Sequence, residues 1–332
     1  MNRVLVAGAS GYAGALTAEL VRRHPSLELV RVTARTDAGK RLSELYPRYG
    51  VDLVLEEPAA EHGEDVDAAI VAYPHGAAAP VVSALRKRGV KVVDLSADFR
   101  LHDLETYRRW YGEHGAPDLL PDAVYGLTEL HRDRIAGAEL VASPGCYPTA
   151  SLLALAPLAA EGLIDDVVID AKSGVSGAGR AAAEEMAVVK DTDDTKPYKV
   201  AGHRHTPEIA QELAGLSANG SNLTFVPHLM PYDQGELVSC YVRTSEALDA
   251  ARLLSLYEER YADEPFVGLA AEPPGVSGVR ETNLCRIHVA LDEASGRAMA
   301  FASIDNLWKG AASQAIQNLN LMLGLPEGEG IS

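Results

Sequence analysis

Residues 3–24, RVLVAGASGYAGALTAELVRRH, decide how the N-terminal half of the chain folds. The apolar run at Val4–Ala7 is typical of a buried strand, and three glycines spaced three residues apart follow it. After the glycines, ALTAELVRRH has the apolar spacing of a helix and ends before Pro25, a residue that terminates helices. The stretch therefore predicts a strand, a tight turn and a helix.

The same alternation of strand and helix continues further along the chain. Buried-strand patterns recur in LELVRVTA (27–34), AAIVAYP (68–74) and VKVVDLS (90–96), and AAPVVSALRKRG (78–89) has a helical pattern that stops at Gly89. Strands that alternate with helices pair in parallel through right-handed crossovers. We therefore predict an α/β fold in which the first half forms a Rossmann-type, doubly wound parallel sheet.

The composition narrows the classes of partner. The chain has 332 residues, enough for two domains, and its 47 acidic against 30 basic residues give a net charge of −17. We do not expect so acidic a chain to bind nucleic acid, which needs a basic face. There is no run of about 18 apolar residues to predict a membrane span, and the N-terminus has no signal-peptide pattern. Three cysteines are too few for a disulfide framework, so we expect reduced thiols and a cytoplasmic location.

The glycine turn is a candidate phosphate-binding loop. Its glycines follow the pattern G-x-x-G-x-x-G between the first strand and the first helix. Glycines let the backbone approach a pyrophosphate, and a helix N-terminus favours negative charge. The context strengthens this prediction, although a tight turn without a ligand has the same spacing. The residues that we assign to dinucleotide binding are Gly8, Ser10, Gly11, Tyr12, Ala13 and Gly14.

The end of the second strand indicates the type of dinucleotide. An acid at this position binds the ribose hydroxyls of NAD, whereas a nearby arginine accommodates the 2′-phosphate of NADP. The sequence VTARTDAGKR places Arg35 first and has Asp37 as its only acid, with Lys40 and Arg41 after it. We therefore predict that the cofactor is NADP and that Arg35 contacts it. The alternative is that these residues are solvated loop charges.

Cys146 lies where an apolar strand gives way to a helix. The segment ELVASPGCYPTASLLALAPLAAEG (139–162) passes through a Ser-Pro-Gly turn into a helical pattern that we expect to begin at about Pro148. A thiol at a helix N-terminus has a lowered pKa, and the thiolate is the nucleophile. Position alone also allows a buried structural cysteine, the common fate of a free thiol. Cys240 and Cys285 alternate with apolar residues on strands and are predicted to be core residues.

A nucleophilic cysteine needs a base, and His203 and His205 are the candidates. They precede a predicted helix with Thr206 as N-cap and Pro207 as first residue, so the turn can hold an imidazole in place. His-x-His is also a metal-ligand spacing, but no H-E-x-x-H motif or cysteine pair accompanies it, and we predict no metal site. Surface histidines beside a helix cap are the remaining alternative.

Two further segments carry cations near the ends of predicted strands. DAKSGVSGAGR (170–180) follows the strand pattern DDVVIDA, and its Ser/Gly-rich backbone is suited to anion binding beside Lys172 and Arg180. DLSADFR (94–100) brings Arg100 to the sheet edge where ligands bind in parallel sheets. We assign Arg100, Lys172 and Arg180 to substrate or phosphate binding, with surface ion pairs as the alternative. Ser176 and Gly177 are assigned to the cofactor.

Together these residues resemble one family, the N-acetyl-gamma-glutamyl-phosphate reductases, NADP-dependent enzymes of arginine biosynthesis that form a semialdehyde. GCYPTA and SGVSGAGR are specific to this family, whereas GASGYAG is shared with aspartate-semialdehyde dehydrogenases. The matching segments run in the family's order from residue 7 to about 323 and are GASGYAG, DLSADFR, VYGLTEL, SPGCYPTA, DAKSGVSGAGR, GHRHTPEI, FVPHLMP and IDNLWKGAASQAIQNLNLM.

The resemblance implies a two-domain organisation. It places an NADP-binding Rossmann domain at 1–145 and 307–332, with a final helix at about 309–323 that returns to it. It places a second α+β domain with a mixed sheet at 146–306, as in glyceraldehyde-3-phosphate dehydrogenase, for catalysis and oligomerisation. A homodimer or homotetramer is implied as well. We expect the tail LPEGEGIS to be frayed.

The resemblance also implies residue roles. Cys146 matches the nucleophile and His203 the acid/base residue of the family. Ser10–Ala13 and Arg35 match NADP-contacting positions, and Asn306 matches an asparagine that reaches the cofactor. The implied reaction is reduction of N-acetyl-L-glutamyl 5-phosphate by NADPH through a cysteine thioester, with release of phosphate.

Some features depart from the family pattern or leave the substrate open. Gln234 stands where the family has an arginine, and Thr128 stands where it has a proline. One branch of the family reduces a carrier-protein-bound aminoadipyl or glutamyl phosphate and tends to lose the Tyr-Pro that this chain keeps at Tyr147 and Pro148. The free acetylated substrate is therefore favoured. Aspartyl phosphate as substrate, or an NADP-binding redox sensor without turnover, are the alternatives.

Overall fold

The chain forms two compact units. The computed structural model describes residues 1–59, 63–180, 189–191, 193–217 and 222–332. The first unit consists of Met1–Gly145 with Ala311–Ser332, and the second of Cys146–Gly310. Among the described residues, no helix has the length and apolar character needed to cross a membrane.

The first unit is an α/β layer structure around one sheet. Its elements are β1 (Asn2–Ala7), α1 (Tyr12–Arg23), β2 (Leu27–Thr33), α2 (Leu42–Leu45), β3 (Ala68–Val71), α3 (Ala78–Arg86), β4 (Lys91–Asp94), α4 (Leu104–Tyr111), β5 (Ala123–Tyr125), α5 (Thr128–Ala136), β6 (Leu140–Ala142) and, far along the chain, a helix at Ser313–Met322. The sheet has six strands in the order β2-β1-β3-β4-β6-β5, and every paired strand is parallel.

The central strands of this sheet are buried on both faces. All four residues of β3 have no exposed surface, and the last four of β1 are at most 2% exposed. A strand covered on both sides needs apolar residues throughout, which is why the apolar runs of the sequence do not alternate with polar residues. The predicted Rossmann-type parallel sheet is confirmed.

The second unit contains a mixed sheet. Its elements are α6 (Cys146–Ala160), β7 (Ile164–Gly174), β8 (Lys196–Pro197), α7 (His205–Leu216), β9 (Asn222–Met230), β10 (Glu236–Thr244), α8 (Ala250–Tyr261), β11 (Val267–Leu269), β12 (Cys285–Asp292) and β13 (Arg297–Ile304). The seven strands run in the order β11-β12-β13-β10-β7-β9-β8. Parallel pairs (β7 with β9, β11 with β12) stand beside antiparallel ones, so the predicted mixed sheet is also confirmed.

One face of this second sheet is buried and the other is partly exposed. In β10 the residues Val238, Cys240 and Val242 are fully buried, while Leu237 and Tyr241 keep part of their surface; Ser239 departs from this alternation and is 5% exposed. The alternation has the period of two expected for a sheet with one covered face. Cys240 and Cys285 are both fully buried, as the sequence predicted.

The helix α6 carries a proline in its interior, and a tyrosine of α8 compensates for it. Pro157 has no N–H, so the carbonyl of Leu153 one turn earlier loses its helical donor. The hydroxyl of Tyr261 donates to that carbonyl, and the hydroxyl of Tyr257 donates to the carbonyl of Ala154 (2.6 Å). The helix therefore stays continuous through the proline.

The C-terminal segment belongs to the first unit and is held by polar contacts. The final helix, α9 (Ser313–Met322), begins four residues later than the expected position of about 309, because Trp308–Ala312 forms a π-helical turn. The expectation of a frayed tail is wrong. The Asn320 amide donates to the carbonyls of Glu327 and Glu329 (3.0 and 2.9 Å), and Arg132 pairs with Glu327 (2.8 Å).

Candidate active site

The turn between β1 and α1 packs two glycines against the backbone and leaves a third open. Gly8 has a φ of +87°, and a Cβ there would lie 2.7 Å from the carbonyl of Ala72. At Gly14 a Cβ would overlap the carbonyl oxygen of Gly8. At Gly11 the nearest atom to a Cβ would be 3.7 Å away, so the space outside this residue is open. Two glycines are thus required by the turn itself, and the third leaves room for a ligand.

The N-terminus of α1 is suited to an anion. Gly11 occupies the N-cap position and supplies no side-chain acceptor, and the first turn of the helix contains no acidic residue. The N–H groups there have no partner within the helix. Ser10, Tyr12 and Ala13 are half-buried around this end, and Tyr46 fixes the turn by donating its hydroxyl to the carbonyl of Ser10 (2.9 Å).

In the loop after β2, the acidic residue is buried and the arginine is exposed. Asp37, the acid of this loop, is 6% exposed and forms an ion pair with Lys40 (2.9 Å). Arg35 is exposed, and its charge opposes the burial that raises the pKa of Tyr73. Because Asp37 is already paired with a cation, the group that this loop offers to a ligand is the Arg35 guanidinium.

The DLSADFR segment is an internal network of hydrogen bonds. Asp98 accepts bonds from the N–H groups of Gly76 (2.7 Å) and Ala79 (2.9 Å) at the start of α3. Arg100 is 7% exposed and donates from Nε to the carbonyl of Ser143 (2.8 Å) and from Nη2 to that of Leu95 (2.8 Å). Arg100 thus holds together backbone at the ends of β4 and β6, and its role in phosphate binding stays a prediction.

Cys146 is the first residue of α6. The helix begins there and not at Pro148, so the expected start was two residues late. Pro148 is the third helical residue, where the absent N–H costs no helical bond. The Cys146 side chain is half-buried, and a Cβ at Gly310 would lie 2.7 Å from its Cβ, so only glycine fits at that contact. The thiol therefore occupies the end of the helix where the dipole favours an anion.

His203 lies in an aromatic cluster. Its ring packs edge-on against Tyr147 (5.7 Å between centroids), Tyr198 (5.5 Å) and Phe225 (5.3 Å). Its Nδ1 accepts a hydrogen bond from the N–H of His205 (3.2 Å), which places the ring proton on Nε2. Burial, with further contributions from His205 and nearby cations, lowers the pKa of His203 to about 2. The imidazole is therefore neutral at physiological pH.

The helix that follows His203 also differs from its prediction. α7 begins at His205, so Thr206 is its second residue and Pro207 its third, and Thr206 is not the N-cap. The N–H of Thr206 donates to the carbonyl of His203 (3.0 Å). Within the part of the chain that the structure describes, no group of three or more His, Cys, Asp or Glu side chains is arranged to hold a metal.

Two tyrosines lie beside His203. Tyr198 donates to Tyr147 (3.4 Å), and both rings contact His203. Burial raises the pKa of both phenols, and the charges of Cys146 and Glu236 raise them further. The thiol, the two phenols and the carboxyl of Glu236 thus lie close enough to influence one another's ionisation.

Glu236 has no exposed surface at all. Burial raises its pKa to about 8, and the nearby Cys146 thiol opposes this rise. No described N–H or O–H group donates to either of its carboxyl oxygens. A carboxyl that is buried without such a donor is costly for folding, so Glu236 is a candidate functional residue.

The residues assigned to the cofactor in the second unit lie together. The amide of Asn306 donates to the hydroxyl of Ser176 (3.0 Å), and its oxygen accepts from the N–H of Gly235 (2.7 Å). A Cβ at Gly177 would lie 3.4 Å from the same amide nitrogen. Gln234, which replaces the arginine of the family pattern, donates instead to the carboxylate of Asp305.

Comparison with known proteins matches this arrangement over nearly the whole chain. Residues 3–138 match the family described as semialdehyde dehydrogenase, NAD binding domain, and residues 146–306 match the semialdehyde dehydrogenase dimerisation domain. An N-acetyl-gamma-glutamyl-phosphate reductase of a Geobacter species is 45% identical over 340 residues, covering 100% of this chain and 98% of the relative. The reductase of Syntrophobacter fumaroxidans is 46% identical over 337 residues with the same coverage. The chain belongs to the family of N-acetyl-gamma-glutamyl-phosphate reductases.

Solved structures of aspartate semialdehyde dehydrogenases share the fold. Aspartate semialdehyde dehydrogenase II of Vibrio cholerae has a TM-score of 0.75 at 18% identity and covers 98% of each chain. The aspartate semialdehyde dehydrogenase of Candida albicans, solved with NADP, has a TM-score of 0.70 at 15% identity, covering 97% of this chain and 98% of that one.

The other two residues assigned to phosphate binding, Lys172 and Arg180, lie in and after β7, and their role in phosphate binding stays a prediction. In β7 the two neighbours of Lys172, Ala171 and Ser173, are buried. Lys172 therefore lies on the partly exposed face of the sheet, where it pairs with Asp170 (2.6 Å). Its neighbour Ser173 faces Glu236 across the β7–β10 register. Arg180 is half-buried just after the 3₁₀ turn Val175–Ala178, next to residues 181–188, which lie outside the described residues.

Sequence reasoning missed two members of the cluster in this reductase. Glu236 was passed over although β10 reads GELVSCYV, in which Glu236 shares the inward positions of Val238 and Cys240. A charge at an inward strand position is the signal that would have found it. Tyr198 had no such signal, because it lies outside regular structure between β8 and α7.

Proposed function

We propose that the chain reduces N-acetyl-L-glutamyl 5-phosphate with NADPH to N-acetyl-L-glutamate 5-semialdehyde and phosphate, in the cytoplasm. The observation that carries this proposal is Cys146 at the first position of α6, within electrostatic reach of a buried carboxyl and two phenols. The identity of 45% to reductases that carry this name along their full length supports it. Tyr147 and Pro148 favour the free acetylated substrate over a carrier-bound one.

The cysteine performs the covalent step. The Cys146 sulfur attacks the acyl carbon, the C–O bond to phosphate breaks, and a thioester forms. N–H groups in the first turn of α6 have no helical acceptor and are suited to stabilise the oxyanion of the tetrahedral intermediate. Division into acyl transfer and reduction replaces one difficult step by two easier ones.

His203 acts as a neutral hydrogen-bond donor. Its Nε2–H is the free end of a ring whose Nδ1 is taken by the N–H of His205. Because burial lowers the pKa of His203 to about 2, this imidazole is not protonated in the resting site. We assign it to the substrate oxygen, where it donates to the developing negative charge and takes up a proton only transiently.

The cofactor supplies the hydride that reduces the thioester. We assign its pyrophosphate to the turn at residues 8–14, because Gly11 leaves open space beside the unpaired N–H groups of α1. We assign NADP over NAD because Arg35 is exposed while Asp37 is buried and paired with Lys40. Ser176, Gly177 and Asn306 are assigned to the same cofactor.

The partly exposed face of the second sheet is the proposed dimer interface. Large apolar side chains lie on it, at Val168, Leu237, Tyr241, Met299 and Phe301. The family description of residues 146–306 as a dimerisation domain supports a homodimer. Wild-type protein should sediment as a dimer and Tyr241→Glu as a monomer. A variant that sediments with the wild type would place the interface elsewhere.

The reverse reaction tests the function. N-acetyl-L-glutamate 5-semialdehyde, phosphate and NADP are mixed with the protein, and the absorbance of reduced nicotinamide is followed. We expect turnover that requires phosphate and that is lost in Cys146→Ala. Cys240→Ala is the matched control, because Cys240 is fully buried in the sheet core and should leave turnover intact.

The other outcomes separate the alternatives. Turnover with aspartate semialdehyde or a carrier-bound substrate, but not with the acetylated one, would show that the chain performs the same chemistry on a different substrate. If the protein binds NADP but turns over none of these substrates, and Cys146 is alkylated no faster than Cys240, the redox-sensor alternative is favoured.

A further inference from the structure

The hydroxyls of Thr33 and Tyr73 form a bridge in the first unit. Thr33 is the last residue of β2, and Tyr73 follows the end of β3 by two residues. These two strands are not neighbours, because β1 lies between them in the sheet. The two hydroxyl oxygens are nevertheless only 2.8 Å apart. The bridge therefore spans the carboxyl end of β1, where the turn at residues 8–14 begins.

Backbone contacts fix both ends of the bridge to the glycine turn. The carbonyl of Thr33 accepts hydrogen bonds from the N–H groups of Gly8 and Ala9 (2.9 Å each). On the other side, a Cβ at Gly8 would lie 3.0 Å from the backbone nitrogen of Tyr73. The two hydroxyls are thus held beside the first residues of the candidate pyrophosphate-binding turn. They lie at the carboxyl edge of a parallel sheet, which is the edge where such sheets bind ligands.

The bridge holds one hydroxyl hydrogen that its own bond does not use. Each hydroxyl carries one hydrogen, and the bond between the two oxygens takes up only one of them. Among the residues that the structure describes, no other group accepts a hydrogen bond from either hydroxyl. Thr33 is 2% exposed and Tyr73 6% exposed. Because a buried donor without an acceptor is costly for folding, the second hydrogen is a candidate donor to a ligand oxygen.

Arg35 indicates which kind of oxygen the bridge faces. It follows Thr33 by two residues, is exposed, and acts electrostatically on the Tyr73 phenol. Burial raises the pKa of this phenol, and Thr33 and Arg35 only oppose the rise, so the phenol keeps its hydrogen at neutral pH. The acid of the same loop, Asp37, is paired with Lys40. A guanidinium beside a neutral O–H donor suits an anionic oxygen, to which hydrogen bonds are stronger than to a neutral one.

We propose that Tyr73 determines the preference for NADP, by donating its hydroxyl to an oxygen of the 2′-phosphate that Arg35 binds. Thr33 is a positioning residue in this arrangement. Its hydroxyl donates to the Tyr73 oxygen, so the phenolic hydrogen is directed away from the bridge and toward the ligand. The inference rests on the proposed use of NADP as cofactor.

Binding of two dinucleotides to Tyr73→Phe tests the donor. Phenylalanine keeps the ring and removes only the hydroxyl. We expect the affinity for NADP to fall about 10-fold and that for NAD to change less than about twofold, because NAD has no 2′-phosphate. Calorimetric titration of the full chain with NADP and with NAD measures both affinities. An unchanged affinity for NADP, or equal losses for the two dinucleotides, would overturn the proposal, since a hydroxyl that only supports the turn serves both.

Two substitutions at Thr33 test the positioning role. Thr33→Val keeps the shape of the side chain without its hydroxyl, and Thr33→Ser keeps the hydroxyl. We expect Thr33→Val to lower NADP affinity about threefold, Thr33→Ser to bind like wild type, and NAD affinity to stay unchanged in both. In the double variant Tyr73→Phe/Thr33→Val the loss should equal that of Tyr73→Phe alone, because Thr33 acts through Tyr73. Losses that multiply would overturn the positioning role.

Tyr107→Phe is the matched control in the same unit. Tyr107 is fully buried, and its hydroxyl donates to Asp98 (2.8 Å), so its loss should lower thermal stability without changing the ratio of NADP to NAD affinity. Wild type that binds NAD as tightly as NADP would contradict the proposed cofactor and this inference with it. A wild-type preference for NADP that Tyr73→Phe retains would contradict this inference alone. If Tyr73→Phe does not fold, the comparison of Thr33→Val with Thr33→Ser decides the outcome.

Discussion

The two units form their candidate sites in different ways. In the first unit the turn at residues 8–14 is one continuous stretch, and its shape follows from backbone conformation and the absence of Cβ atoms. In the second unit the cluster around Cys146 draws on α6, the segment before α7 and the start of β10. A local site follows from a sequence motif, whereas a dispersed one depends on the sheet register that assembles it.

Two buried carboxyls sharpen the same contrast. Asp94 in the first unit and Glu236 in the second have no exposed surface, and burial raises their pKa values to about 7 and about 8. Asp94 accepts hydrogen bonds from the N–H and the hydroxyl of Ser96 (3.0 and 2.6 Å), while Glu236 has no such donor among the described residues. The first carboxyl shapes a turn; the second interacts with the nucleophile.

The largest effect is expected from the glycines of the first unit. Gly14→Ala would place a Cβ against the carbonyl oxygen of Gly8, which is backbone and cannot move aside. We expect a loss of roughly 3 kcal/mol or more in the free energy of unfolding, or failure to fold. Chemical denaturation followed by circular dichroism measures it.

Gly11→Ala is the matched control in the same turn. The nearest atom to its new Cβ would be 3.7 Å away, and its φ of −82° suits any residue, so stability should change by less than about 0.5 kcal/mol. NADP affinity should fall, because the methyl group occupies the open space. Equal destabilisation by both variants would show that all three glycines serve the turn.

A medium effect is expected from Arg35. Arg35→Ala should weaken NADP binding about 10- to 100-fold and leave NAD binding unchanged, since only NADP carries the 2′-phosphate. Arg41→Ala is the control, because Arg41 already pairs with Asp52 (3.0 Å). Calorimetric titration with both dinucleotides separates them, and parallel losses for NADP and NAD would refute the assignment.

Particular residues show how much of the structure can be predicted from the sequence. The parallel sheet and the glycine turn were predicted because each depends on neighbours within a few positions, as at Gly8–Gly14. The starts of α6 and α7 were each missed by two residues, since Pro148 and Pro207 fit the third helical position as well as the first. Lys172 and Ser173 stand side by side in sequence, yet the strand points them to opposite faces.

Glu236 shows why the rest was not predictable from motifs. Its significance comes from tertiary packing that brings it within electrostatic reach of Cys146, 90 positions earlier in the chain. Tertiary burial, and not the local sequence, creates the shifted pKa. The frayed-tail expectation failed for the same reason, since Asn320 and Arg132 hold the tail through contacts that composition does not reveal.

A smaller effect, on the pH dependence of stability, compares the two carboxyls directly. The pKa of Glu236 is raised in the folded state from 4.5 to about 8, so the folded chain keeps a proton that the unfolded chain has released between these values. Its stabilising contribution is complete below pH 4.5 and is lost as the pH rises toward 8, by at most about 1.4 kcal/mol per pH unit.

Glu236→Gln should therefore flatten the decline in stability between pH 5 and 8. Asp94 remains in both proteins, so the difference between them isolates Glu236. Urea denaturation midpoints at half-unit steps of pH measure the slope. Identical slopes in wild type and variant would mean that Glu236 ionises normally in the folded state.

The smallest effect is expected at the interior proline of α6, in the second unit. Tyr261→Phe removes the donor to the carbonyl of Leu153, which Pro157 has already deprived of its helical partner, so a buried carbonyl loses its remaining bond. Tyr257→Phe removes a donor to Ala154, whose carbonyl still accepts the helical N–H of Leu158. We expect a loss of roughly 1 kcal/mol for the first variant and clearly less for the second. Thermal unfolding of the two variants side by side measures the difference, and an equal loss would show that the proline leaves no carbonyl in need of a donor.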